Sequence, residues 1–173
     1  MPKIIENLKE QITKEAERQL FENGYAGTTV RSVAKGCNIA TGTVYNYFES
    51  KDLLISAILL KDWHLCTDRM KRQDTGDSKA FLKGIYDALK DFVDKYDPLF
   101  RDQDAAKVYA GVFNERHRQL KQVMGKVIMP ICGNCPDPVF FAEHIAETLL
   151  FGATENTAFE KMFMIFEKLL EVR

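Results

Sequence analysis

Apolar side chains recur three or four positions apart along nearly the whole chain and nowhere alternate for long, so the pattern predicts an all-α protein. Ile5, Leu8, Ile12, Ala16 and Leu20 draw the inward stripe of a first helix, which Asn23-Gly24 ends because glycine accepts the left-handed cap. Shorter elements follow. Thr28-Thr29 offers a hydroxyl N-cap for a helix through Val33 and Ala34, Gly36-Cys37-Asn38 makes a turn, and a second short helix runs from about Thr41 to Tyr47. Ser50 then caps a long helix whose inward side is Ile55, Ile58, Leu59, Trp63, Cys66 and Met70.

The polar stretch from Gln73 to Ser78 breaks the pattern and is read as a loop between a head and a body. Beyond it, Phe81, Ile85, Leu89, Phe92 and Tyr96 mark a helix stopped before Pro98, and another runs from about Asp104 towards Pro130. A loop from Gly133 to Pro138 precedes the final helices, roughly Val139 to Glu155 and Thr157 to Val172. Thr157 and Glu160 stand at capping-box spacing.

With 173 residues, 46% of them apolar, the chain can bury one compact core or a small head with a larger body. No stretch reaches the apolar length of a spanning helix, and the N-terminus mixes charges where a signal peptide would be apolar, so a cytoplasmic protein without membrane contact is expected. Cys37, Cys66, Cys132 and Cys135 are then expected as reduced thiols. The net charge of −1 does not advertise nucleic-acid binding for the molecule as a whole. Locally the balance shifts: between residues 28 and 51 only Glu49 opposes Arg31, Lys35 and Lys51.

Two short helices joined by a tight turn bury little apolar surface by themselves, so the pair needs a support. Val30, Val33, Ala34, Ile39, Val44 and Phe48 can pack on the first helix, leaving Thr41, Gly42, Thr43, Tyr45, Asn46 and Tyr47 largely outward. That face holds hydroxyls, an amide, a glycine and aromatics without an acid. Small polar residues near the start of such a helix can approach base edges in a major groove, while Tyr hydroxyls and nearby Lys reach phosphates.

The stretch FENGYAGTTVRSVAKGCNIATGTVYNYFESKDLL, Phe21 to Leu54, resembles the DNA-binding head of the TetR family of transcriptional repressors. The matching marks are Phe21, Gly24-Tyr25, Thr28-Thr29-Val30, Val33-Ala34, Gly42-Thr43, Tyr45, Tyr47-Phe48, and Lys51 with Leu53-Leu54. The resemblance implies a three-helix helix-turn-helix head over residues 1–51 and an effector-binding and dimerisation body over 52–173. It makes the second short helix the recognition helix, with Thr41, Thr43, Tyr45 and Asn46 facing the groove and Gly42 among them. Thr29, Arg31, Tyr47 and Lys51 would hold phosphates, Lys51 at a helix start that also favours an anion. The chain departs from the family at two places. Asn38 replaces the usual turn glycine and tolerates the left-handed region, and Ala40 replaces the usual capping serine, leaving a weaker cap or Thr41 in its place.

The final helix carries more apolar residues than one core stripe needs: Phe159, Met162, Phe163, Met164, Ile165, Phe166, Leu169 and Leu170. With Phe140, Phe141, Ile145, Leu149 and Leu150 of its neighbour it is expected to form a homodimer interface, a four-helix bundle by the resemblance. A small-molecule effector would sit between the fourth helix and the two after the polar loop, near Trp63, Cys66, Tyr86, Phe92, Tyr96, Phe113 and His117. The expected function is a repressor released from a palindromic DNA operator by that ligand. The alternative is a thiol-based redox or metal-responsive protein using Cys132 and Cys135, although no second pair stands at zinc-finger spacing. No catalytic constellation appears at usable spacing, so neither an enzyme, a cofactor nor a bound metal is expected.

Overall fold

The computed structural model describes residues 7–170, with the side chains of 108–119 outside that description. The described residues are helical throughout, joined by turns: α1 Leu8–Gly27, α2 Val30–Gly36, α3 Thr41–Tyr45, α4 Lys51–Lys71, α5 Ser78–Arg101, α6 Gln103–Ile128, a 3₁₀ turn Met129–Cys132, α7 Pro138–Thr154 and α8 Phe159–Leu170. The all-α reading therefore holds. Phe113 and His117, together with Ile5, lie outside the described residues or side chains. No described helix is long and apolar enough to cross a membrane.

Two compact units divide the chain: residues up to Asp62 with Pro98–Val108, and Trp63–Asp97 with the chain from Tyr109 onward. In the first unit α1 packs on α2, and α2 on α3. Ile12, Ala16 and Val33 are wholly or almost wholly buried there, as are Val44 and, from α4, Leu54, Ile55 and Ile58. Fully burying an Ile or Leu side chain contributes roughly 1.5–3 kcal/mol, so these few residues fix α1 as the support of both short helices. The second unit has its own core, in which Met70, Phe81, Ile85, Leu89, Met124, Ile145, Leu149 and Phe166 meet.

The structure corrects the sequence expectation at particular points. The fifth helix does not stop before Pro98 but continues through it to Arg101. A proline in the last turn removes one ladder bond near an end that is already frayed, which is milder than a break in mid-helix. The last helix begins at Phe159 rather than Thr157, because Asn156 takes φ 56° and the Thr157 amide turns back to the Gly152 carbonyl at 2.8 Å. That bond closes α7 in a left-handed cap, and Thr157 belongs to it. Cys132 and Cys135 are not in an open loop: Cys132 ends the 3₁₀ turn, and both thiols are buried.

Candidate nucleic-acid interface

Gly24, at φ 70°, interrupts α1 and lets the chain fold Tyr25 inward, where it is buried. Thr28 is fully buried and returns its hydroxyl to the Gly24 carbonyl at 2.8 Å. Thr29 is the N-cap of α2: its Oγ accepts from the Ser32 amide at 3.0 Å, and the Ser32 hydroxyl oxygen accepts from the Thr29 amide at 3.0 Å. The hydroxyl that the resemblance sends to phosphate thus already caps a helix. Thr29→Ala is expected to lower unfolding free energy by about 1 kcal/mol, and Thr29→Ser by much less, in denaturant titrations.

A polar tie that the sequence reading missed anchors this cap to α1. Gln19, almost fully buried, donates to the Ser32 carbonyl at 3.1 Å and accepts from the Ser32 hydroxyl at 2.6 Å. It also donates to Glu15 at 2.7 Å. Arg18, hydrogen-bonding to the Glu15 carboxylate, holds that carboxyl below the ordinary range. A polar residue on the inward side of an otherwise apolar stripe is the signal that could have revealed Gln19.

At the turn, Asn38 takes φ 55°, the left-handed conformation expected of it in place of glycine. Ala40 occupies the N-cap of α3 with no side-chain bond, and Thr41 stands at the first helical position, so Thr41 does not cap. Val44 is fully buried under α3 and Phe48 is buried just after it. Their burial turns the opposite face outward: Tyr45 is 51% exposed and Tyr47 43%, Gly42 and Asn46 are exposed, and Thr41 and Thr43 are half-buried. A Cβ built at Gly42 meets nothing within 4 Å. Arg31 and Lys35, one turn apart on α2, join Asn38, Ala40 and Thr41 around an open depression beside this face. Lys35 was not among the sequence-derived site residues, although its spacing from Arg31 puts both on one side of the helix. The structure thus brings together Arg31, Thr41, Gly42, Thr43, Tyr45, Asn46 and Tyr47 around α3. Lys51 stands apart in kind, since its ammonium bonds to the Tyr25 carbonyl at 3.0 Å.

Within the second unit, Cys66 and Tyr86 belong to one buried cluster against which Trp63 and Phe92 pack. Trp63 meets Phe92 edge-on at 5.4 Å between ring centroids, and Phe92 meets Tyr96 at 5.1 Å. The Tyr86 hydroxyl donates to the Thr157 carbonyl at 2.7 Å, tying α5 to the α7–α8 turn. The Cys66 thiol donates to the Ala88 carbonyl at 3.2 Å. Burial pushes the Cys66 and Cys132 thiols up to about 12, which suppresses the thiolate needed for redox exchange or metal binding. All four cysteines are free thiols, and among the described residues no group of three or more His, Cys, Asp or Glu is placed to hold a metal ion.

Residues 12–58 match the family described as bacterial regulatory proteins, tetR family. The HTH-type transcriptional regulator UidR of Escherichia coli K12 is 37% identical over 62 residues, covering 35% of this chain and 32% of that protein. The BetI regulator of Paraburkholderia xenovorans is 34% identical over 83 residues, covering 46% of this chain and 43% of that protein. The matches thus span about a third to under a half of these curated relatives. Solved structures extend the likeness in fold to nearly the whole chain. A TetR-family transcriptional regulator from Pectobacterium atrosepticum superposes with a TM-score of 0.65 at 18% identity, covering 98% of this chain and 95% of its own. The ketosteroid transcriptional regulator KstR2 of Mycobacterium tuberculosis does so at 0.53 and 19%, covering 94% and 92%.

Proposed function

We propose that this chain, whose residues 12–58 match the tetR family of bacterial regulatory proteins, is a DNA-binding transcriptional regulator that works as a two-fold dimer on a palindromic operator. One observation carries the reading: the exposed face of α3 is acid-free, rich in hydroxyls, amide and aromatic edges, and flanked by the cations of Arg31 and Lys35. In this reading Thr41, Thr43, Tyr45 and Asn46 face base edges, Arg31 and Tyr47 hold phosphates, and Thr29 serves by fixing the start of α2.

A single head of this size makes few phosphate contacts, and specific binding at physiological salt calls for two half-sites. The interface we propose uses the apolar side chains that α7 and α8 leave exposed, Phe140, Phe151, Met164 and Ile165. The mode we propose is repression relieved by a small molecule that favours a form with misplaced heads, since only differential affinity for two forms shifts their populations. Trp63 and Phe92 are half-buried, which leaves ring surface for an apolar molecule beside Tyr96, with Cys66 and Tyr86 nearby in the same core.

The experiment is to pass sheared genomic DNA over the purified chain and sequence what is retained. The expected fragments share a palindrome with half-sites about 34–36 Å apart, or a multiple of that spacing. Retention of no fragment at low salt ends the reading. Asn46→Ala is expected to lose about 1–3 kcal/mol of discrimination at one base position in each half-site, read from a panel of single-base operator variants. A uniform loss across all variants would instead make Asn46 a backbone contact.

A further inference from the structure

Lys51 matches a family mark and begins α4, yet its ammonium is already engaged within the protein. Its Nζ donates to the Tyr25 carbonyl at 3.0 Å and stands 3.6 Å from the centroid of the Tyr25 ring. The Tyr25 hydroxyl in turn donates to the Asp52 carboxylate at 2.5 Å. One buried tyrosine is therefore held at its ring, its carbonyl and its hydroxyl by two successive residues of α4. The cation gains from both the ring quadrupole and the carbonyl dipole, and half-burial shields both contacts from water.

The position of this clasp in the chain gives it leverage. Tyr25 closes α1 and Lys51 opens α4, and the whole segment that carries α2 and α3 lies between them. Holding both ends of that segment restricts the directions in which α3 can be presented, as a fastened loop has fewer conformations than an open one. We propose that Lys51 is a positioning residue that acts through Tyr25 to orient the recognition helix, and is not a ligand of a DNA phosphate. The proposal rests on the DNA-binding reading given above.

The test uses the full chain and a genomic fragment that the wild-type protein retains, at a temperature where every variant is fully folded. Failure to obtain any such fragment would count against the functional reading, not against the clasp, so the two failures are distinguishable. Affinity is measured across a salt series for wild type, Lys51→Met, Lys51→Arg, Tyr25→Phe and, as a phosphate-contact reference, Arg31→Ala. Each lost phosphate contact lowers the slope of log affinity against log salt by about 0.9, hence about 1.8 for a dimer.

Arg31→Ala is expected to show that drop. Lys51→Met is expected to bind about 10-fold more weakly at every salt concentration with the wild-type slope. Lys51→Arg, which keeps a cation over the ring, is expected to bind more tightly than Lys51→Met at the wild-type slope. Tyr25→Phe loses only the hydroxyl bond to Asp52 and is expected to weaken binding about 2- to 3-fold, again at constant slope. A slope for Lys51→Met reduced as in Arg31→Ala would overturn the proposal, as would unchanged affinity in both Lys51→Met and Tyr25→Phe. Should Lys51→Met not fold, Lys51→Gln, which removes the charge from the Tyr25 ring and carbonyl, takes its place: weaker binding at the wild-type slope supports the clasp, and a slope reduced as in Arg31→Ala refutes it.

Discussion

The substitution Ile165→Glu is expected to convert the proposed dimer to monomers and to lower operator affinity by about 10²- to 10⁴-fold, with helical content and melting temperature of the protomer preserved. Ile165 is 57% exposed on α8 and Phe151 is 63% exposed on α7, so neither side chain contributes to the protomer core. A carboxylate at either position meets water in a monomer and an apolar partner surface in a dimer, where burying an unpaired charge costs several kcal/mol. Operator binding suffers in turn because the second head then binds from bulk solution and not as a tethered neighbour, and that linkage is worth about 10²–10⁴ in affinity. Phe151→Glu should repeat the result from the other helix. Sedimentation of both variants checks the first half and operator titration the second. If Ile165→Glu and Phe151→Glu both remain dimeric, the interface lies elsewhere on the molecule.

The two faces of α8 show what the sequence could and could not say about this surface. An excess of apolar residues over one core stripe is visible without a structure, and it signals that a second face must be covered. Which residue faces which way depends on the phase of the helix, and that is fixed by packing. Phe159, Met162 and Phe166 turn into the protomer core, while Met164 and Ile165 do not. The same division holds on α7, where Ile145 and Leu149 are buried and Phe140 and Phe151 are exposed. Only part of the expected interface set therefore remains available to a partner.

In the head, local chemistry made more of the structure legible. A hydroxyl before an apolar helical pattern and an asparagine where a left-handed residue is needed each have one physical meaning, and Thr29 and Asn38 take the conformations that follow, whereas Ala40 left open whether Thr41 replaces the missing cap, which it does not. Contacts between residues far apart in sequence carried no such signal. Lys51 reads as a free cation at a helix start until Tyr25 is seen to fold back on it, and Gln19, although its inward position marks it as buried, does not name Ser32 as its partner. Pro98 misled for a related reason. The general rule against proline in helices weakens near an end, and the end of α5 lies a few residues beyond it.

Gly42 carries the other large expected effect, and with it a conflict between stability and function. Glycine inside a helix is less stable than alanine by roughly 0.5–1 kcal/mol. Nothing within the protein requires it at this position: a Cβ there meets no atom within 4 Å, and its φ is not positive. A residue that weakens a five-residue helix without helping its packing is explained by what approaches from outside. In the proposed complex that is the duplex, with the backbone of α3 close against it. Gly42→Ala is therefore expected to raise unfolding free energy by about 0.5–1 kcal/mol while weakening operator binding about 10-fold. Gly42→Glu adds bulk and a negative charge facing phosphates, and is expected to abolish operator binding while the protein melts no lower than wild type. The opposite signs of the two measurements are the test. If Gly42→Glu still binds the operator within a few-fold of wild type, the surface around α3 does not lie in a groove, and the assignment of the recognition helix fails with it.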